Sequence, residues 1–359
     1  MNLYLTKSGR LRRKDNTLIF ETVSLPSEDS ENETVQDADF EEIKDIDLED
    51  IPAENKHSLP IESIESIYLF GEISLNCRLM NFLSQKKIPV HFFNYYGNHT
   101  GTFLPHAEQL SGELAIRQGA AYMDMQKRMY ICRRLLDSVI HNIHSVVNYY
   151  ARRKNLPELT EISEKIFAYT ENLEAAQTPD ELMGVEGTVR RLYYRSWHYW
   201  LGDAAKQFKR TYHPPETPLN SLISFVNSLL YTACVSELYR TALYPGISYL
   251  HAAMTKRFSL ALDLTEPFKP IMADRLIFRL WNSRMIQDSD FLPDTNGYIL
   301  TDSARKKILS EWDLLLRETV FYKSLNRSVS YRQLLRLDCY KLIRHLLEDQ
   351  EYTPFRMEY

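Results

Sequence analysis

LMGVEGTVRRLYYRSWHYWL, residues 182–201, decides the class of fold. Leu182, Val185, Val189, Leu192, Tyr193, Trp197 and Trp200 recur at three- and four-residue spacing, which predicts one amphipathic helix over the stretch. At about 100° per residue, Glu186 projects into that apolar stripe beside Leu182 and Tyr193, while Arg191 and Arg195 point the other way. An unpaired charge on a buried face costs several kcal/mol or more, so Glu186 must be salt-bridged, protonated or bound to a metal ion. An i,i+4 pair with Arg190 is the simplest solution.

The same 3.6-residue period extends in both directions from this helix. AIRQGAAYMDMQKRMYICRRLLDSVIHNIHSVVNYYARR predicts a long helix or two, ENLEAAQ a short one and LNSLISFVNSLLYTACVSELYRTAL another. TNGYILTDSARKKILSEW contains a hairpin turn at Asn296-Gly297, and SYRQLLRLDCYKLIRHLLED is a closing basic amphipathic helix. Before residue 105 the pattern is different. NLYL, NTLIFETV after the Asp15-Asn16 turn, ESIYLFG, KIPVHFFNYYG and TFLP are short β-rich runs bounded by Gly, Asn and Pro. One helix, LNCRLMNFLSQKK, interrupts them, with Ser74 as the expected N-cap and Leu75, Leu79, Phe82 and Leu83 on one face. The expected architecture is α+β: a small N-terminal β-rich domain over 1–105, then a large all-α C-terminal domain over 106–359, joined at Leu104-Pro105.

The net charge of -5 is misleading. Residues 28–54 hold 13 acidic residues and one lysine, Lys44, and outside that run 42 basic and 35 acidic residues leave a balance of +7. The body is mildly basic, compatible with a polyanionic partner, and the acidic run reads as a solvated insertion spanning about 21–57. No apolar run is expected to span a membrane, and the opening MNLYLTKSGRLRRK carries no signal-peptide core, so a soluble cytoplasmic protein is expected. Cys77, Cys132, Cys234 and Cys339 are scattered, which argues against a zinc ribbon and a disulfide framework. There is no GxxxxGK[ST], no GxGxxG after a strand, no HExxH and no GxSxG, which sets aside nucleotide-driven motors, dinucleotide oxidoreductases, zincins and serine hydrolases.

Chemistry-bearing residues follow downstream of Glu186. His251 stands in LYPGISYLHAAM, with Asp263 and Glu266 at +12 and +15 in FSLALDLTEPFKP. If that stretch is helical, the two acids share a face, and two carboxylates with an imidazole are the donor set for magnesium or manganese in phosphodiester chemistry. Phe258, Leu260, Leu262 and Leu264 also alternate as a strand would, and then the acids face opposite ways. The structural alternatives are a hydrogen-bonded histidine at a helix start and capping or salt-bridge roles for the acids with Lys269 or Arg275. Basic and aromatic residues interleave nearby. Arg190, Arg191, Arg195, Lys206, Lys209, Arg210, Lys256 and Arg257 are the candidate DNA contacts, with Tyr193, Tyr194 and Tyr212 among them.

GVEGTVRRLYY, PLNSLISFVNSLLY, LYPGISYLH and SLALDLTEPFKPIMADRLI resemble, in order and spacing, the signature blocks of the CRISPR-associated integrase, the Cas-one family of spacer acquisition. The resemblance covers most of the chain except 21–57 and parts of 150–180 and 285–330. It implies a catalytic helical C-terminal domain, a homodimer formed through the N-terminal domains, and two dimers flanking a small ferredoxin-like partner, Cas-two, in a heterohexamer. It implies insertion of double-stranded DNA with 3′ ends into CRISPR repeat DNA. By similarity Glu186, His251 and Glu266 are the Mg²⁺ or Mn²⁺ ligands, and Asp263 matches a further acidic position of the same block. Lys269 stands where the family usually has arginine, and Tyr244-Pro245 where it often has Asp-Pro.

Overall fold

The computed structural model describes residues 1–23, 52–105, 111–206, 208–211, 214–252, 258–295 and 297–357. The chain is α+β and divides into two compact units, Met1–His106 and Ala107–Tyr359.

In the first unit, β1 (Asn2–Leu5), β5 (Ser66–Leu69), β7 (Val90–Phe93) and β8 (His99–Phe103) form one sheet in that order, and β4 (Asn55–Pro60), β3 (Thr17–Thr22), β2 (Gly9–Lys14) and β6 (Ile73–Ser74) form another. β5 and β7 are parallel, which requires a crossover; helix α1 (Cys77–Gln85) lies within it. The N-cap of α1 is Asn76, whose side chain accepts from the Leu79 N–H, not Ser74 as expected. Leu79, Phe82 and Leu83 bury themselves against Leu11, Leu18, Ile67 and Val90. β3 and β4 pair from Thr17–Pro60 to Thr22–Asn55, so both ends of the expected insertion are strand. β4 escaped sequence reading because NKHSLP is polar and almost wholly exposed, an edge strand without an apolar face. The acidic residues between 28 and 50 lie outside the described residues.

The second unit is built on α3 (Met125–Lys154) and α8 (Pro218–Tyr239). Asp124 separates α3 from α2 (Gly112–Met123): its carboxylate caps the Gln126 and Lys127 N–H groups and starts a new helix. α4 (Pro157–Ala168), α5 (Thr170–Ala175) and α6 (Pro179–Ser196) pack beside α3. The helix expected over 182–201 is in fact two: α6 starts three residues earlier, at Pro179 behind the Thr178 cap, and α7 (His198–Leu201) follows a break at Trp197. By length and composition α8 does pass as a membrane span, contrary to expectation, but 83% of its apolar window is buried inside the protein and it forms the core of this unit.

α9 (Ser259–Thr265), a 3-10 turn (Glu266–Phe268), a π-helical segment (Lys269–Asp274) and α10 (Arg275–Asn282) form one uninterrupted helical run. The stretch is therefore helix, which resolves the helix-or-strand alternative. The expected hairpin is β9 (Phe291–Asp294) with β10 (Gly297–Leu300). Gly297 has φ +101, and a Cβ there would meet the Pro215 carbonyl oxygen at 2.5 Å, so only glycine fits. α11 (Asp302–Arg317), the hairpin β11 (Thr319–Tyr322) with β12 (Arg327–Ser330), and α12 (Tyr331–Glu348) complete the unit.

His91, wholly buried under the Tyr68 ring and hydrogen-bonded to Thr102, has its pKa pushed down to about 3 by burial and by His99. The unfolded chain binds that proton near the ordinary 6.5 and the folded one does not, so the first unit loses stability as pH falls from about 6.5 towards 3. Thermal melts between pH 7 and 4 will show a smaller loss in His91→Phe than in the wild type.

Candidate active site

Glu186 and Arg190 lie one turn apart on α6, whose entry is set by Thr178 capping the Glu181 N–H and Glu181 reaching back to the Gln177 N–H. Val189, Tyr193 and Ser196 bury this face against the unit's interior, drawing both charges inward with it. The guanidinium of Arg190 donates to Glu186 Oε1 at 2.8 Å and to Glu266 Oε2 at 2.9 Å. Arg190 and Glu266 are buried and Glu186 is 16% exposed.

Glu266 owes its position to the two prolines that follow it. Pro267 and Pro270 have no N–H to continue the α-helical ladder, so the run passes through the 3-10 turn and π segment around them. Asn142, fully buried on α3, anchors this irregular stretch by donating to the Pro267 carbonyl at 2.8 Å and to the Phe355 carbonyl at 3.0 Å. The Phe268 and Phe355 rings stack alongside, 5.1 Å apart. Lys269, three residues on, places Nζ 2.5 Å from Glu266 Oε1.

His251 belongs to the loop between α8 and α9, not to a helix start. Asp263, with no exposed surface, organises that loop. Its Oδ2 accepts from the Tyr249 and Leu250 N–H groups at 2.6 and 3.0 Å, and its Oδ1 from the His251 N–H at 2.9 Å and the imidazole Nδ1 at 2.8 Å. With Nδ1 on Asp263 Oδ1, the other ring nitrogen, Nε2, faces Glu266 Oε1 at 3.7 Å. Asp263 and Glu266 thus address the two nitrogens of one ring, as their three-residue spacing on a helix requires.

Charge is held against the cost of burial. For Glu266, burial favours the neutral acid, but Lys269, Arg190 and His251 outweigh it and keep the carboxyl below the usual range. Burial would depress His251, yet the Asp263 hydrogen bond and the Glu266 charge raise its pKa above the ordinary value. Arg190 is likewise raised, because Glu186 and Glu266 overcome its desolvation. Asp274, eight residues beyond Glu266, has its carboxyl pushed up to about 6 by burial against the pull of Arg190 and Lys269. Its Oδ2 is 3.9 Å from Arg190 Nη1, and neither atom has a hydrogen bond among the described residues.

Four carboxylates, Glu186, Asp263, Glu266 and Asp274, therefore surround two permanent cations, Arg190 and Lys269, and one histidine. That excess of negative charge, with imidazole Nε2 directed at a carboxylate, suits an oxygen-and-nitrogen-binding divalent cation. The fit lies in donor chemistry and charge. Among the described residues no three His, Cys, Asp or Glu side chains form a ready-made metal cluster, and Glu186 reaches Glu266 through Arg190.

The expected DNA contacts divide. Arg190 is corrected from surface contact to buried bridge, because its guanidinium is engaged by three carboxylates. Arg210 is corrected too: it is partly buried, with Nη1 on the Asn220 side chain at 3.0 Å and Nη2 on Ser224 at 2.9 Å, tying the preceding loop to α8. Arg191, Arg195, Lys206 and Lys209 are exposed, and Lys256 and Arg257 lie outside the described residues. Sequence reasoning missed Asp274 and Asn142. Asn142 did carry a signal, the one that exposed Glu186: a polar residue inside an apolar helical stripe, between Val139 and Val146.

Residues 3–314 match the family model for CRISPR associated protein Cas1. The chain belongs to the Cas1 family. It is 41% identical over 355 residues to the CRISPR-associated endonuclease Cas1 2 of Thermodesulfovibrio yellowstonii, covering 99% of this chain and 98% of that one. It superposes on a CAS1 protein from Thermotoga maritima with a TM-score of 0.81 at 34% identity, over the full length of both chains. A casposase bound to integration product, 18% identical, has the same fold, with a TM-score of 0.82 covering 99% and 94% of the two chains. The Cas1 assignment from four short blocks is thereby upheld.

Arg190→Ala leaves Glu186, Glu266 and Asp274 without their shared counter-charge, and is expected to cost about 3–5 kcal/mol. Arg191→Ala, next to it on the exposed face, is expected to change stability by no more than about 0.5 kcal/mol. Urea titrations of the two variants measure the difference.

Proposed function

We propose that this Cas1-family chain is a divalent-metal-dependent DNA integrase and endonuclease, which inserts short DNA fragments into a CRISPR array by attack of a 3′-hydroxyl on a phosphodiester. The observation that carries the reading is that Arg190 joins Glu186 to Glu266 while His251 Nε2 lies 3.7 Å from Glu266, in a chain of the Cas1 family. Glu186, Glu266 and His251 Nε2 are the ligands of Mg²⁺ or Mn²⁺. When bound, the ion lowers the pKa of the attacking hydroxyl and offsets charge gathering on the phosphate oxygens.

The chain's own residues prepare for this chemistry. Asp263 engages His251 Nδ1 and orients the ring, so that Nε2 is the nitrogen left on the side of Glu266 to bind the ion once it has given up any proton. Arg190 and Lys269 keep Glu266 ionised while no other cation is present. Arg190 also ties α6 to the 259–282 run, and an ion held by both Glu186 and Glu266 would take its place between them. Water in place of the 3′-hydroxyl would make the same site a nuclease. Residues 1–105 serve homodimerisation, and two dimers carry the small ferredoxin-like Cas-two partner in a heterohexamer, as the family resemblance implies.

Strand transfer of a short duplex into a supercoiled, repeat-bearing plasmid, with the Cas-two partner and Mg²⁺ or Mn²⁺, tests the assignment. Joining is expected with either metal, more strongly with Mn²⁺, and loss of about 100-fold or more in Glu186→Ala, His251→Ala and Glu266→Ala with DNA binding retained. Joining that survives one substitution removes that residue from the ligand set. Tight DNA binding without any joining by the wild type points instead to a scaffold that holds DNA ends. Cleavage of branched DNA without the partner or an array points to a repair nuclease.

Asp263→Asn is expected to weaken Mn²⁺ binding by about 10–100-fold, since it disturbs the histidine without removing a ligand. Calorimetric titration of the folded variant measures this separately from joining.

A further inference from the structure

Residues 350–357 follow α12 without helix or strand, yet Tyr352, Pro354 and Phe355 among them are buried. Their seat is α3, where Tyr130, Arg134, Ser138 and Asn142 recur at four-residue spacing and so share one face. The Tyr130 hydroxyl accepts from the Tyr352 N–H at 3.2 Å, and Arg134 Nε donates to the Tyr352 carbonyl at 3.0 Å. The Ser138 hydroxyl donates to the Phe355 carbonyl, and so does Asn142 Nδ2, at 3.0 Å. Asn142 Oδ1 accepts from the Met357 N–H at 2.8 Å. From Tyr130 to Asn142 the helix rises about 18 Å, which 352–357 can match by running nearly extended.

At its far end this segment meets the turn that follows Glu266. Asn142 is fully buried and makes three hydrogen bonds: one to the Pro267 carbonyl, and two to the segment. The Phe355 ring lies within 7° of parallel to that of Phe268, which is wholly buried two residues after Glu266. A polar contact through Asn142 and an apolar one through Phe268 thus connect the segment to the site run. Pro267 and Pro270 bring no N–H to that run, so side chains hold it where the helical ladder does not. Loss of the segment would leave a buried amide with one of its three partners and Phe268 with an uncovered face.

We propose that 352–357 is a strap that positions Glu266. Seated on α3, it fixes the Asn142 amide and the Phe268 ring, and these fix the turn that presents the carboxylate to Arg190 and His251. Asn142 and Phe355 act as positioning residues, through Pro267 and Phe268. The proposal rests on the reading above for the ion that Glu266 holds.

Hydrogen exchange of the full-length protein in EDTA, and calorimetric titration of the same variants with Mn²⁺ after EDTA is removed, test it. In Phe355→Ala, amides of 268–274 are expected to exchange about tenfold faster while those in the interior of α8 keep the wild-type rate, and Mn²⁺ binding is expected to weaken about tenfold. Phe355→Leu, which restores most of the buried volume, should recover both. Ser138→Ala deletes one hydroxyl and no bulk, and should shift both readouts the same way by a smaller factor; it decides the matter if Phe355→Ala does not fold. Faster exchange confined to 350–357, an equal rise throughout α8, or unchanged Mn²⁺ affinity despite faster exchange at 268–274 would each overturn the proposal. A wild type that binds no Mn²⁺ defeats the ligand role of Glu266, and the exchange measurement then still decides the strap.

Discussion

The guanidinium of Arg190 is the interaction on which the helical unit turns. It comes from the same buried face of α6 as Glu186, crosses to Glu266 on the 259–282 run, and lies beside Asp274 two turns further along that run. Carboxylates so placed repel one another and lose their hydration, and hydrophobic packing alone would not bring those two stretches together. A planar, permanently charged group with several donors can serve three acids at once, as a lysine could not. Lys269 then adds a second cation on Glu266 from one helical turn away. The Cas1 chain thus carries its own counter-charges for the acids it buries.

Irregular backbone is what brings the acids to that point. Pro267 and Pro270 break the α-helical hydrogen-bond ladder directly after Glu266, and Asn142 on α3 donates to the Pro267 carbonyl within this irregular stretch. The same amide binds the Phe355 carbonyl and, through Oδ1, the Met357 N–H, so the C-terminal tail and the site run are held by one side chain. Asp263 does for the 249–251 loop what Asn142 does for the proline turn. Its two oxygens take three backbone N–H groups and an imidazole, which is why a loop histidine can be as well placed as one on a helix.

Much of this was legible in the chain. The 3.6-residue period located the long helices, the Asn296-Gly297 pair located the hairpin, and Glu186 declared itself as an acid in an apolar stripe. Glu186–Arg190 pairing was also readable from i,i+4 spacing. The misreadings have physical causes. β4 was hidden because an exposed edge strand carries no alternation, and GRLRRK and the β11–β12 hairpin are too polar or short to stand out. α8 passes as a membrane span by length and composition alone, and within it Ser228 and Thr232 donate to carbonyls one turn back. Arg190 and Arg210 stand among the candidate DNA contacts because basic and aromatic residues interleave there, and only their partners Glu266, Asn220 and Ser224 show them engaged within the protein.

By itself, the sequence determined the division into a strand-rich and a helical part, the positions of most helices and the Cas1 family. The division and the helices follow from periodicity, capping and local spacing, which act over a few residues, and the family from the order of four resembling blocks. Tertiary structure alone decided that Arg190 reaches Glu266, that Asp263 holds His251 by Nδ1 while Glu266 lies towards Nε2, and that Asp274 nears Arg190 and Asn142 holds the Pro267 carbonyl. Burial and ion pairing between distant segments depend on where the whole chain folds back on itself, and no local pattern encodes that.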